Sequence, residues 1–407
     1  MRNKKLLALF KLLLIRARYM ATDTESANTD SKSGSSTEAY DVIVVGAGAA
    51  GIGVAIALTH VGVENFLIVD RGTVGASFRS WPAETRFLTP SFPSNSIGML
   101  DLNSIGLGIS PGFNMRIEHP TGQEYADHLQ SLADYFELPV REETDVISIK
   151  KSDELFHVET DDGTLFANNV IWAAGEYQYP SLGEFEGSDM CLHTSSIQKY
   201  GELEGDDFLI IGGYESGIDA AYHVAMNGKN ARVFDRNLPW GEESSDPSVS
   251  LSPYSFERMR NEKFGANVQL FPETSVESVV RNGDVYSLTT EDGQVFSSNT
   301  QPILANGFNG SHVFVAHLFE QREDGFPSLN ERDESTIVPG MFLCGPSVRH
   351  DGHIFCFIYK FRQRFGIVAE TIASSLGLET DEFVAAYKSW GMYLDDLSCC
   401  GQECLTC

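Results

Sequence analysis

The chain has 407 residues, of which 42% are hydrophobic, 11% aromatic and 21% charged, which excludes a disordered chain and suffices for two or three domains. Acidic residues outnumber basic ones by 57 to 29, a formal net charge of −28 that excludes the basic face a nucleic acid or an anionic membrane surface would need. Such a surplus suits a high-salt interior, so a halophilic source is expected.

Residues 1–19 differ in composition from the rest, with Arg2, Lys4, Lys5, Lys11, Arg16 and Arg18 and no acid. The expectation is that translation starts at Met20; the alternative is an amphipathic helix on a membrane surface. The apolar run at 6–15 is broken by Lys11 and falls short of the ~18–20 residues that a membrane span needs, so no span is expected. Polar residues 21–39 read as the rest of a disordered leader over 1–39.

The unbroken β-branched run at 41–45 reads as a buried parallel strand, followed by a glycine turn, a helix over 49–61 and a second strand over 65–70. In GAGAAG, Gly46 permits the tight turn, Gly48 lets the backbone approach a pyrophosphate, and Gly51 lets the helix pack closely on the sheet. Asp70 ends the second strand, where it can accept ribose hydroxyls. The stretch 79–115 is long for a plain loop and is expected to be functional, with Trp81, Phe87 and Thr89 as candidate cofactor walls. A helix starts near Thr121, and strands follow near 145–151, 155–160 and 164–173.

The same unit recurs as a strand over 207–211, a helix over 216–226 capped by Asn227-Gly228, and a strand over 231–235. Gly46 lies 24 residues before Asp70, and Gly212 lies 23 before Asp235, which implies two dinucleotide-binding units rather than a chance glycine cluster. In GGYESG, Tyr214 stands at the second glycine position. Asp235 favours an unphosphorylated ribose, whereas Arg236 beside it can pair with a 2′-phosphate. The choice between NADH and NADPH stays open, with a slight lean to NADPH. Strands near 267–271, 275–281, 285–290, 302–305 and 341–344 and helices near 353–375 and 380–392 complete the chain.

Seven cysteines, none before Cys191, point to a reducing, cytoplasmic setting rather than a disulfide scaffold. Four of them crowd the end as a vicinal pair, Cys399 and Cys400, and a CxxC, Cys404 and Cys407. A redox centre by thiol–disulfide exchange is favoured there over a thiolate metal site, and no metal is expected.

Two such units in this order resemble the two-dinucleotide-binding-domain flavoproteins: thioredoxin reductases, flavin-containing monooxygenases and pyridine nucleotide–disulfide oxidoreductases. The segment 180–200 is similar to the monooxygenase signature FxGxxxH, with two extra residues between Gly187 and His193, and also to bacillithiol-disulfide reductases, which the late helix beginning HIFCFIYKF resembles too, although Ala50 stands where those carry a cysteine. The LSCC string resembles the tail of mercuric reductases. The resemblance implies an α/β fold with two Rossmann-like doubly wound domains, the second inserted in the first. The FAD domain would span 40–195 and 308–393, the NAD(P) domain 196–307, and a cysteine-rich tail 394–407.

It implies that FAD is held by Gly46, Gly48, Ala49, Ala50, Gly51, Asp70 and Arg71, with Ser80, Trp81 and Val146 beside it. The crossovers would bring Ala174, Gly175 and Gly307 to the cofactors. Gly345, His353 and Ile354 would meet the flavin ring, the last two at a helix start. NADPH or NADH would lie against Gly212, Gly213, Glu215, Ser216, Asp235 and Arg236. The implied reaction passes hydride from NAD(P)H to FAD and electrons on to the tail cysteines, which reduce a small-molecule or protein disulfide. A flavin monooxygenase using NADPH and oxygen is the alternative, and a thiol metal-carrier or redox sensor on the same scaffold is another. His193 is equally a satisfied loop histidine or a catalytic one. A homodimer is usual for such relatives.

Overall fold

The computed structural model describes residues 39–397 other than 242, 243, 245 and 247, so the basic segment, the polar leader up to residue 38 and the four tail cysteines lie outside the described residues. Strand β1 (Tyr40–Val45) is buried from Val42 onward because branched side chains cover both its faces. Helix α1 (Ala49–Val61) follows, ending at Gly62, whose φ of 91° makes the left-handed cap. Strand β2 (Phe66–Val69) pairs with β1 in parallel, Val42 opposite Phe66. Helix α2 (Gly122–Tyr135) is started by a capping box in which Thr121 and Glu124 satisfy each other's backbone.

Strands β3 (Val140–Arg141), β4 (Val146–Ser152), β5 (Leu155–Thr160) and β6 (Gly163–Trp172) extend the sheet in the order β3-β2-β1-β6-β5-β4. The β3-β2-β1-β6 part is parallel and the β4-β5-β6 part is an antiparallel meander.

The second sheet draws on β7 (Leu192–His193), β8 (Asp207–Ile211), helix α3 (Glu215–Met226), β9 (Asn230–Phe234) and β10 (Val268–Phe271). A three-stranded antiparallel sheet, β11 (Val276–Asn282), β12 (Val285–Thr290) and β13 (Val295–Ser298), packs beside it before β14 (Ile303–Leu304) completes the parallel order β10-β9-β8-β14-β7. Strand β15 (Met341–Leu343) then returns to the first sheet and pairs with β6. The second unit is therefore inserted in the first, as expected of a doubly wound α/β chain of two Rossmann-like units.

Two local differences from the sequence reading have clear causes. The late helix does not begin at 353. His353 and Ile354 form strand β17 (His353–Ile354) of a hairpin with β16 (Arg349–His350), tied by a bond between His353 Nδ1 and the His350 carbonyl. Phe357 is extended, and helix α4 (Ile358–Ser375) starts after it. Helices at Pro253–Met259 and Glu262–Asn267 were not expected, because they are short and stand on single caps, Ser252 and Asn261. Helix α5 (Asp381–Ser389) closes the described fold. Among the described residues no helix is long and apolar enough to cross a membrane.

Helix α1 is buried almost all round because α4 covers the side that the sheet leaves free. That packing requires Gly53, since a Cβ there would stand 2.2 Å from the ring of the fully buried Phe365. Gly53→Val is expected to cost about 1–3 kcal/mol or more through overpacking, read as a lower urea midpoint with an unchanged slope.

Candidate active site

Each parallel sheet ends in the same constellation. Gly46 (φ 109°) and Gly212 (φ 97°) take left-handed turns directly after β1 and β8. A Cβ on either would lie 2.5 Å from a carbonyl oxygen of the neighbouring crossover, Ala173 in one unit and Ala305 in the other. A Cβ on Gly51 would meet the Gly46 oxygen at 1.8 Å, and one on Gly217 would meet the Gly212 oxygen at 1.9 Å. Glycine is required by both φ and contact at Gly46 and Gly212, and by contact alone at Gly51 and Gly217.

The acids complete the match. Asp70 accepts from Ala47 N–H at 2.7 Å and from Gly72 N–H at 2.8 Å. Asp235 accepts from Gly213 N–H at 2.6 Å and from Asn237 N–H at 2.8 Å. Burial pushes the Asp70 carboxyl above its usual range, opposed by the two amide bonds.

The units differ at the second glycine position. A Cβ on Gly48 would meet nothing within 4 Å, so open space lies over the α1 N-terminus. Tyr214 starts α3 and donates its hydroxyl to the Ser250 carbonyl at 2.7 Å.

A cavity of about 440 Å³ opens over the first turn and reaches the second unit. Of the residues expected to hold cofactors, Gly46, Gly48, Ala49, Ala50, Asp70, Trp81, Ala174, Gly175, Glu215 and Ser216 line it, as do the candidate walls Phe87 and Thr89. Others stand elsewhere. Arg71 is exposed, its guanidinium 5.9 Å from the Tyr179 ring centre. Ser80 bonds back to the Ala76 carbonyl at 3.0 Å, and Ser77 and Phe78 reach the cavity instead. Val146 is buried in β4 opposite Thr160. Gly345 packs its α-carbon against Ala50, where a Cβ would sit 3.1 Å from that of Ala50. His353 and Ile354 lie in the hairpin, while Cys356, Phe357 and Ile358 line the cavity. Gly307 has φ 74° and offers its carbonyl to His193 Nε2 at 3.0 Å. Since His193 Nδ1 also bonds Ser195 Oγ at 2.8 Å, this histidine is fully partnered.

Asp235 lines a second cavity with Tyr214, Asn237, Pro239 and Val249, and the exposed Arg236 does not. Among the described residues no group of three or more His, Cys, Asp or Glu side chains is placed to hold a metal ion.

Glu176, Glu215 and Cys356 are titratable groups of the first cavity's lining, and Glu176 gave no motif signal in the sequence. Glu176 follows the first crossover, and burial pushes its carboxyl up, opposed by Arg349. Glu215 is held by Ser252 N–H and Ser255 Oγ, each at 2.5 Å, and burial again pushes its carboxyl up. Cys356 touches Ser248 Oγ at 3.1 Å, and burial raises its thiol despite that bond and the nearby Lys360 and Arg349. For Glu176 the available signal was its position directly after the first crossover.

A family model for pyridine nucleotide-disulphide oxidoreductases matches residues 43–345, from β1 to the turn after β15. The chain belongs to that family. Bacilliredoxin reductase Bdr of Bacillus subtilis (strain 168) is 26% identical over 234 residues, 55% of this chain and 67% of that protein. An uncharacterized CzcO-like oxidoreductase of Geobacillus kaustophilus (strain HTA426) is 36% identical over 111 residues, 26% of this chain and only 32% of that protein's length. The fold is shared with bacillithiol disulfide reductase Bdr (YpdA) from Staphylococcus aureus, at TM-score 0.68, 22% identity and coverage of 83% of this chain and 99% of that one. It is shared too with a flavin-containing monooxygenase from Stenotrophomonas maltophilia, at TM-score 0.62, 16% identity and coverage of 83% and 99%.

The two units of this family member are clasped across the cavity. Thr85 donates to Asp219 of α3 at 2.6 Å, and Asp219 also binds Arg258 and faces His223 Nε2 at 3.4 Å. Burial pushes the Asp219 carboxyl up, but His223, Arg258 and Thr85 overcome it and hold it down at about 2. A carboxylate with a depressed folded value stabilises the fold above its unfolded value near 4 and loses that contribution as pH falls toward 2. Stability is expected to drop across that window, and Asp219→Asn to flatten the drop, measured by denaturant midpoints from pH 5 to pH 2.

Proposed function

We propose that the chain is an FAD-dependent NAD(P)H oxidoreductase that reduces a disulfide substrate. The carrying observation is the one cavity that runs from the open turn at Gly48 to Glu215 and Ser216 at the start of α3. Bound FAD would supply two-electron chemistry between a nicotinamide and a sulfur acceptor. For that group the residues present fit. The open α1 N-terminus offers free N–H groups to a pyrophosphate, and Gly48 leaves the space for it. Asp70, pinned by two amides, keeps its outer lone pairs for ribose hydroxyls. Ala174 to Tyr177, on the crossover, wall the middle of the cavity, and Phe357 and Ile358 bring the start of α4 to it. We keep the domain limits 40–195 with 308–393, and 196–307, with β7 (Leu192–His193) already paired into the second sheet ahead of that boundary.

The sulfur partner is the point where this chain departs from a simple pattern. Among the described residues Cys356 lines the cavity, whereas Cys344 is buried in the core and Cys191 lies elsewhere. We assign the dithiol to the remaining cysteines, Cys399, Cys400, Cys404 and Cys407. The approach to the tail supports this. Met392 lies against Gly366, and Leu394 N–H donates to the Gln363 carbonyl at 3.0 Å, so the chain runs along α4 toward its cavity end. From Gln363 to Ile358 the helix rises only ~7.5 Å, and five extended residues beyond Leu394 can span ~17 Å. Ser248 and Lys360 flank Cys356 at that end, Lys360 Nζ bonding Asp246 at 2.5 Å and Ser248 Oγ at 2.7 Å.

Two measurements test the reading. Gly48→Ala is expected to leave the unloaded protein as stable as before but to weaken FAD binding about tenfold or more, by flavin fluorescence titration. Removing residues 399–407 is expected to spare flavin reduction by NAD(P)H and to cut disulfide turnover about tenfold or more. Unchanged turnover in the shortened chain would exclude the tail as redox centre.

A further inference from the structure

We infer that the second unit selects NADH over NADPH, and that Asp235 sets the choice. This rests on the reading above that the second unit takes a nicotinamide dinucleotide.

The argument begins from the internal repeat. Asp70 and Asp235 stand at equivalent strand ends, and each has one oxygen on the amide of the residue after the turn glycine and the other on the amide two residues ahead. The adenosine ribose of a dinucleotide bound in such a unit lies against that acid, which accepts its 2′-hydroxyl. The Asp235 carboxylate cannot swing away without giving up both amide bonds, at 2.6 and 2.8 Å. A 2′-phosphate would have to enter beside a fixed negative charge, and like charges in contact oppose binding.

Among the described residues nothing lining the cavity offsets that charge. Its walls there are Tyr214, Asp235, Asn237, Pro239 and Val249, about 390 Å³ with no cation among them. Arg236 is the adjacent residue, but it is exposed and outside the lining. Arg236 stands in the bend that follows β9, with its side chain at the surface. The structure thus resolves the ambiguity of the Asp-Arg pair in favour of the acid.

The test uses the FAD-loaded full chain and titrates NAD+ and NADP+ by calorimetry and by quenching of tryptophan fluorescence. Trp240 reports locally, since it covers the turn so closely that a Cβ on Gly213 would lie 2.3 Å from its ring. NAD+ is expected to bind about tenfold or more tighter than NADP+, and Asp235→Asn to narrow that ratio. NADP+ binding as tightly as NAD+ to the unchanged protein, or a ratio that moves only in Arg236→Ala, would overturn the inference and leave the function reading standing. If Asp235→Asn fails to fold, displacement of NAD+ from the unchanged protein by 5′-AMP and by 2′-AMP makes the same discrimination, with 5′-AMP expected to be the better competitor. Binding of neither dinucleotide would instead overturn the reading of the second unit itself.

Discussion

A carboxylate that accepts two backbone amide hydrogens at the end of a strand governs the architecture of both sheets. Asp70 ties the turn after β1 to the loop after β2, and Asp235 does the same for β8 and β9. Once the turn is held, its glycines must sit against the neighbouring crossover. At Gly46 and Gly212 the crossover carbonyl comes within 2.5 Å of where a Cβ would be. The helix start then has a single placement, and with it the direction in which its free N–H groups point.

That arrangement used twice also defines where the units can meet. The strands of each parallel sheet end on the same side as its turn, and the chain crosses between the units twice, after β6 and after β14. Each crossover therefore passes over the C-terminal end of the parallel strands of a sheet. The cavity between is closed by the 79–119 excursion rather than by either sheet. Ala83 N–H bonds the Gln198 carbonyl, Glu84 accepts from the amides of Tyr200 and Gly201, and His119 stacks on Tyr254 at 3.9 Å. A long excursion with only short helical turns, Asn95–Ile97 and Pro111–Met115, is tolerated because its polar groups are satisfied partly within it, as at Asn103 and Asp101, and partly by the second unit.

Charge plays a different part inside than outside. The surface carries the acidic surplus, whereas the buried acids are each matched. Asp333, fully buried, receives the Arg364 guanidinium at 2.8 Å and His350 Nε2 at 2.5 Å. Asp101 is bound by the amides of Asn103 and Gly112. Breaking such a pair leaves an uncompensated charge in the core, so these contacts specify the arrangement of the α4 helix and the 79–119 loop more than they add to net stability.

The two βαβ units were legible in the chain because their signals are local. A β-branched run, glycines at set spacing and an acid at the next strand end are each dictated by contacts within about 25 residues. Lining residues at the crossovers, such as Glu176 and Phe308, were not legible, because a crossover is defined by the sheet it crosses. The start of α4 was misread for the same reason: apolar periodicity continues through His353, but pairing with β16 claims that residue first. The sequence alone determined that there are two Rossmann-like units, which acid belongs to each, and that four thiols stand together at the end. Only the tertiary structure decided that one cavity joins the units, that Asp235 and not Arg236 faces the second pocket, and that the segment leading to the tail runs toward the cavity. Those facts depend on contacts between residues far apart in the chain, which no local pattern encodes.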